Sequence, residues 1–257
     1  MAAEADAPDH SRHVLLELGL GVERRGDELH GSAPIVAEMH VPGTEVLRTS
    51  VLATWVDTVA GLLVAGVVAP RVPVTLELDV HLHEPPQGVG SVHLRGRLAK
   101  VGRTVVVPTV DLVDETGRAL GFGAASFMVA PDPTLRMPSG TSLDGRPPGT
   151  ARLRQPLAER VGIEHREPGV VVLPRSEEGL NASNTVNGGL LALAVEEAAL
   201  SLEPGATLAS LALRYLQPVR VGPAVAVAEV RGGLGRVEVR DAGADDRVAV
   251  LATTHSA

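Results

Sequence analysis

Two hydrophobic patterns occur along this chain, and each occurs twice. The first is a long apolar run, at 51–69 and again at 186–202. With the glycine and proline stops beyond each run, these predict helices over 47–68 and 186–202. The second is a period of two. In 74–82, Leu76, Leu78, Val80 and Leu82 fall on one row, and Thr75, Glu77, Asp79 and His81 fall on the other, followed by His83. In 207–215, Ala209, Leu211, Leu213 and Tyr215 share the core row, while Leu208, Ser210, Ala212 and Arg214 replace the polar row. Alternating stretches at 31–40 and 170–174 precede the two helices. Longer strands follow at 91–100, 104–112 and 118–129 in the first half, and at 224–230, 236–240 and 247–254 in the second. A helix followed by a strand meander predicts an α+β fold, not an alternating parallel sheet.

The spacings indicate an internal duplication. Pro85 to Pro218 is 133 residues, and Gly102-Arg103 to Gly235-Arg236 is also 133. Asp57 and Glu196, inside the two helices, are 139 apart, so the second copy lacks six residues, expected in the loop between helix and strand. Between the copies, 131–156 is rich in proline and glycine and has neither periodicity, as a linker does. The expected organisation is therefore an N-terminal unit at 1–130, a linker at 131–156 and a C-terminal unit at 157–257.

The 51–69 run nears the roughly 20 apolar residues that cross a membrane. Asp57 within it makes a core helix the better reading, because an unpaired carboxylate is costly in hydrocarbon. Met1 to Arg12 is acidic and small-residue-rich, with no basic segment leading an apolar one. It reads as a frayed tail and not as a secretory signal. At 44% apolar and 21% charged, 257 residues can bury a core without staples. The absence of cysteine removes disulfides, thiolate metal sites and a cysteine nucleophile, and fits a cytoplasmic location. A net charge of −8 and four aromatics argue against nucleic acid as a partner. One lysine among 23 basic residues reflects GC-rich coding, as in many bacteria, and carries no mechanism. His81 and His83 share a strand face, but two histidines without a third ligand do not make a metal site.

The chemistry-bearing residues cluster at the helix starts. The second copy reads Asn181-Ala182-Ser183-Asn184-Thr185-Val186-Asn187-Gly188-Gly189, with Glu196 seven residues after the last glycine. This resembles the helix start of the PaaI-like acyl-CoA thioesterases, Asn-x-x-Gly-x-x-His-Gly-Gly followed by an acid, with Asn187 at the histidine and Asn184 at the glycine. The duplicated helix and meander likewise resemble the hotdog fold in its tandem form. The resemblance implies a double hotdog, two antiparallel sheets each wrapped around a long central helix. In the first copy the aligned positions are Pro42, Glu45 and Arg48-Thr49-Ser50, so the start motif is gone, yet Asp57 aligns with the family's acid. The family's hydroxyl, ten residues before the strand-terminal proline, is Thr75 in the first copy and is lost to Leu208 in the second.

These losses are complementary. In the family the site lies between two hotdogs, which implies one complete site made of Asp57 and Thr75 with Asn181, Asn187, Gly188 and Gly189. The opposite pairing, with Glu196 and Leu208, would be degenerate. Thioester hydrolysis develops negative charge on the carbonyl oxygen, which free N–H groups at a helix N-terminus stabilise. The glycines would let substrate approach the backbone. Asn181 adds a donor or holds the turn. Asp57, desolvated among Trp55, Val56 and Val59, becomes a better base or nucleophile, and Thr75 positions water. Each residue also has an ordinary reading: Asp57 as a satisfied buried acid, Asn187-Gly188-Gly189 as a helix cap, Thr75 as a β-branched strand residue, Glu196-Glu197 as a solvated or interface pair, with Glu196 as the acid of a second site the lesser alternative. No cofactor or metal is implied, and the expected partners are an acyl-CoA or acyl-carrier thioester and a second copy of the chain. A non-catalytic acyl-CoA or acyl-carrier binding protein with the same groove is the main alternative. A hotdog hydratase is poorer, since neither copy shows its Asp and downstream His.

Overall fold

The computed structural model describes residues 13–137, 145–146, 151 and 153–257. The predicted tail at 1–12, and the linker prolines 138, 147 and 148 with glycines 140 and 149, lie outside the described residues. The element order is β1 (Gly21–Arg25), β2 (Glu28–Pro34), α1 (Thr49–Val68), β3 (Pro73–Leu82), β4 (Ser91–Val101), β5 (Val106–Asp114), β6 (Ala119–Val129) and β7 (Gly145–Arg146). It continues with the short α2 (Leu157–Arg160), β8 (Glu164–Glu167), β9 (Val170–Leu173), α3 (Gly188–Leu200), β10 (Leu208–Tyr215), β11 (Ala224–Arg231), β12 (Leu234–Asp241) and β13 (Arg247–Ser256). The alternating stretch at 31–40 is strand only to Pro34 and then turns through a 3-10 segment, Ala37–Met39.

The strand order is β7-β1-β2-β4-β5-β6-β3-β10-β13-β12-β11-β9-β8. On each side of the β3–β10 junction the same antiparallel series runs outward, 3-6-5-4-2-1 against 10-13-12-11-9-8. The expectation of two sheets is corrected here: the halves share one 13-stranded sheet, because β3 and β10 pair edge to edge. The pairing is reciprocal. Leu78 faces Leu213 and Val80 faces Leu211, while Asp79 faces Ala212, its own counterpart at the 133 spacing. An approximate two-fold axis therefore passes between Asp79 and Ala212, as in an isologous dimer interface. Pairing also removes the exposed N–H and C=O groups of two edge strands. On the outer face Arg214 meets Asp79 at 2.6 Å and Glu77 at 3.2 Å across the junction.

Both helices lie inside the curved sheet. α1 is long and apolar enough to span a bilayer, but Val51, Leu52, Trp55, Val56, Val59, Ala60 and Leu63 are fully buried against the strands, as a core helix requires. Gly96 and Gly123 bring β4 and β6 close to it. A Cβ on either would lie 2.6 Å from Val59 or Val56. The missing residues of the second copy are not a loop deletion. At the 139 spacing both helices start at equivalent positions, Thr49 and Gly188, but α1 has 20 residues and α3 has 13, so the second helix has lost its last two turns.

The two helices meet where Gly189 packs on Thr54. A Cβ on Gly189 would lie 2.3 Å from Thr54 Oγ1 and 2.9 Å from its Cβ and Cγ2. Gly189→Ala is expected to cost about 1 to 3 kcal/mol through overpacking, measured by denaturant unfolding. Thr54→Ala should recover part of that loss in a double-mutant cycle. Additive effects would show that the helices do not depend on this contact.

Candidate active site

A cavity of about 550 Å³ opens between the halves, within the range of small-molecule sites. It is lined by Asp57 and Thr75 from the first half and by Asn181, Asn187 and Gly188 from the second. Five of the six predicted site residues thus share one space. Gly189 does not line it: this glycine serves the helix crossing, and its N–H is already taken, donating to Asn187 Oδ1 at 2.8 Å. Gly188 also has an internal reason to be glycine, because a Cβ there would lie 3.0 Å from Tyr215 Oη and 3.2 Å from Cζ. Packing thus accounts for glycine at both positions, and only Gly188 borders the cavity.

Thr75 reaches the site through an irregularity that a strict alternation hides. The β3–β6 register slips between Thr75 and Glu77, leaving Leu76 unpaired. Such a bulge shifts the facing of side chains beyond it. Thr75, which the period of two puts on the outer row, turns to α1, where Oγ1 donates to Asp57 Oδ1 at 2.9 Å. The same slip recurs in β10 between Leu208 and Ser210, at the equivalent residue by the 133 spacing, so the device predates the divergence of the copies. Burial raises the Asp57 pKa from 3.8 to about 6, even against the hydrogen bond from Thr75, which lowers it.

Asn181 holds the turn: its Oδ1 accepts the N–H of Ser183 at 2.9 Å and of Thr185 at 3.3 Å. Within that turn Asn184, where the family has glycine, adopts a left-handed φ of 57°, a conformation that Asn tolerates better than most residues. Asn187 is the N-cap of α3. Tyr215, placed by sequence only on a core row, extends into the cavity and donates from its hydroxyl to Gly188 O at 3.0 Å. Its pKa is raised, first by burial and then by the Asp57 charge. A signal was present, since at the 133 spacing Tyr215 matches Leu82, a polar-tipped residue where its counterpart is aliphatic. Gly61, Phe127, Gln217 and Arg220 also line the cavity and carried no sequence signal.

The pseudo-equivalent location, at the start of α1, is filled. Glu196 reaches across from α3 and accepts the N–H of Thr49 at 2.8 Å and of Ser50 at 3.4 Å on Oε1. Its Oε2 accepts Ser50 Oγ at 2.5 Å and lies 3.4 Å from Arg48 Nη1. Arg48 also pairs with Glu197, whose other oxygen is 2.9 Å from His165 Nε2. Thr49 Oγ1 donates to Leu208 O at 2.7 Å. Of the solvated and interface readings of Glu196-Glu197, the structure has the interface one: Glu196 is fully buried against the other half and Glu197 nearly so. Burial raises the Glu196 pKa, opposed by the Arg48 charge and the Ser50 hydrogen bond. At the 139 spacing Arg48 matches Asn187 and Glu196 matches Asp57. The Arg48–Glu196 pair, one residue from each half, closes the α1 start. The shorter Asp57 bonds to Thr75 instead, and the Gly188 N–H has no partner among the described residues.

Residues 47–120 match the family description of the thioesterase superfamily, a stretch that carries both Asp57 and Thr75. No curated protein matches the chain. Among solved structures, it is similar to an acyl-ACP thioesterase from Bacteroides thetaiotaomicron, at 16% identity and a TM-score of 0.61 over 89% of this chain and 98% of that one. It is similar to the 12:0-ACP thioesterase from Umbellularia californica, at 12% identity and a TM-score of 0.63 over 90% and 94%. It is also similar to the tesB protein of Mycobacterium avium subs paratuberculosis, at 16% identity and a TM-score of 0.60 over 95% and 97%.

Removing the plug should act on stability and not on the open site. Glu196→Gln leaves Arg48 buried with one acid fewer and is expected to cost about 3 kcal/mol in denaturant unfolding. A cost below about 0.5 kcal/mol, the level of an ordinary surface change, would show that the cluster is not holding the α1 start. The stretch that bears Asp57 and Thr75 is thus similar to the thioesterase superfamily, and the chain shares its fold with solved thioesterases.

Proposed function

We propose that the protein hydrolyses an acyl-CoA thioester at one composite site per chain. The reading is supported above all by the contrast between the two helix starts. One is filled by a carboxylate of the protein itself, and the other, with the Gly188 N–H unengaged among the described residues, opens into the cavity that holds a desolvated acid. In this reading the chain is a double hotdog, with units at 1–130 and 157–257 and a linker at 131–156. Asp57 and Thr75 come from the first unit, and Asn181, Asn187, Gly188 and Gly189 from the second. Two chains associate as a dimer, which sedimentation tests.

The thioester carbonyl oxygen lies at the start of α3, where the Gly188 N–H and the positive end of the helix dipole face it. Asn187 and Gly189 support that position indirectly, since their mutual hydrogen bond fixes the first turn, and Asn181 fixes the loop leading to it. Asp57 Oδ2, the oxygen not bonded to Thr75, takes a proton from water as the water oxygen adds to the carbonyl carbon. The C–S bond then breaks, and the departing thiolate takes the proton back from Asp57. Thr75 has committed its proton to Asp57, so its oxygen lone pairs are free to accept from the same water. A pKa near 6 leaves the carboxyl ionised at neutral pH and more basic than an exposed aspartate. Two of the proteins sharing the fold act on acyl-ACP, so a carrier-protein thioester is the substrate to compare with CoA.

Thiol release from acyl-CoA and acyl-ACP panels tests the reading with no background, since the chain has no cysteine. Asp57→Asn is expected to lower kcat about a hundred- to ten-thousand-fold, with Glu196→Gln far less affected. Loss with Glu196→Gln alone would reverse the assignment, and no turnover on any thioester would leave the binding-protein reading.

The pH dependence should follow the same carboxyl. The rate is expected to rise with pH through an inflection near 6. Thr75→Val removes the hydrogen bond that holds the pKa down and should move the inflection upward. The effect on stability has the opposite sign. The native state binds this proton more tightly than the unfolded chain, so the stabilisation is full below pH 3.8 and is lost as pH rises through about 6. Asp57→Asn should therefore stabilise the fold at pH 8 by roughly 1 to 3 kcal/mol while abolishing turnover. Destabilisation at that pH would mean that the carboxylate is structural.

A further inference from the structure

The cavity lining differs in character between the halves. The second half contributes apolar groups such as Val186, Leu191 and Val219, but also Asn181, Ser183, Thr185, Gln217 and Arg220, groups able to hydrogen-bond the amides and phosphates of a carrier arm. The first half, beyond Asp57 and Thr75, is apolar, with Val72, Val74, Phe127 and Met128, and the linker adds Asp132 and Leu135. Gly61 belongs to this apolar part. It stands one turn of α1 beyond Asp57, at i+4, and so on the same face of the helix. Unlike Gly96, Gly123 and Gly189, it is not forced by packing. A Cβ at Gly61 would meet nothing nearer than the Phe127 ring at 3.7 Å, an ordinary contact. A glycine in a helix interior is unfavourable relative to alanine, so this one weakens α1 with no packing need. What it leaves is space beside the carboxyl.

We propose that Gly61 determines acyl specificity. The acyl chain runs from Asp57 along α1, over Gly61 and against Phe127 and Met128, while the carrier arm lies on the polar second-half lining. The substrate class is then an extended aliphatic acyl group, long enough to pass one helical turn of about 5.4 Å, and not acetyl or a short polar acyl group. This rests on the thioesterase reading above.

The experiment compares the chain with Gly61→Ala and Gly61→Leu on acetyl-, hexanoyl- and decanoyl-CoA. Gly61→Leu is expected to lower kcat/KM for decanoyl-CoA at least tenfold relative to acetyl-CoA. Gly61→Ala should shift the ratio less, in the same direction, and raise the thermal midpoint by about 2 to 4 °C through helix propensity. It carries the test if the leucine variant does not fold. Equal losses at every chain length, or no change, would overturn the proposal. The non-hydrolysable hexyl and decyl CoA thioethers, titrated by calorimetry, separate it from the reading on which it rests. If no thioester turns over but thioether affinity rises with chain length and Gly61→Leu abolishes the rise, hydrolysis fails and the specificity assignment stands. If thioesters turn over and neither measurement depends on Gly61, hydrolysis stands and the assignment fails.

Discussion

The reciprocal pairing of β3 with β10 organises the molecule. Centring the junction on Asp79 and Ala212 places each half's helix across the other's, with Gly189 of α3 against Thr54 of α1. Each helix then directs an acid eight residues after its start toward the start of its partner. Asp57 shares a cavity with Gly188, and Glu196 bonds to Thr49 and Ser50. A symmetric backbone thus sets up two equivalent places where a carboxyl, a strand and a helix N-terminus converge, and the side chains decide what becomes of each.

The difference between those two places is small in atoms and large in consequence. A glutamate has one more methylene than an aspartate, and at the α1 start that reach takes the carboxylate to two backbone N–H groups and a serine hydroxyl. Arg48 in the cap position supplies the counter-charge that lets the acid stay buried. Across the axis the shorter Asp57 is held back by Thr75, and Asn187 caps its own helix without closing the space in front of it. One site is electrostatically satisfied and closed, and the other retains a desolvated acid and an unengaged donor. The closed site shows what the same backbone does when every polar group is given a partner.

Much of this was legible in the sequence, for definable reasons. Long apolar runs and strict alternation are properties of single elements, so α1, α3 and the meander strands could be read directly, and the fixed 133 spacing exposed the duplication. The convergence of Asp57 and Thr75 with the Asn181–Gly188 loop was legible through complementary losses in the two copies. Three features were not. A bulge adds one residue without altering composition, so alternation put Thr75 on the wrong row. Edge-to-edge pairing depends on backbone groups that every residue carries, so one sheet and two sheets read alike. The burial of Arg48, Glu196 and Glu197 depends on partners 148 residues away for the first pair, and adjacent glutamates near a helix end ordinarily lie in water.

Fusing two copies in one chain is what makes this asymmetry possible. In a dimer of identical subunits, any substitution that fills one helix start fills both, and an Arg–Glu plug would close the two together. Within a single chain the copies can diverge, and the positions that differ form cross-half sets: Arg48 with Glu196 on one side of the axis, Asn187 with Asp57 on the other. An open helix N-terminus beside a buried acid is a local weakness, because unengaged donors and desolvated charge both oppose folding. The plug halves that burden by converting one such place into a hydrogen-bonded cluster.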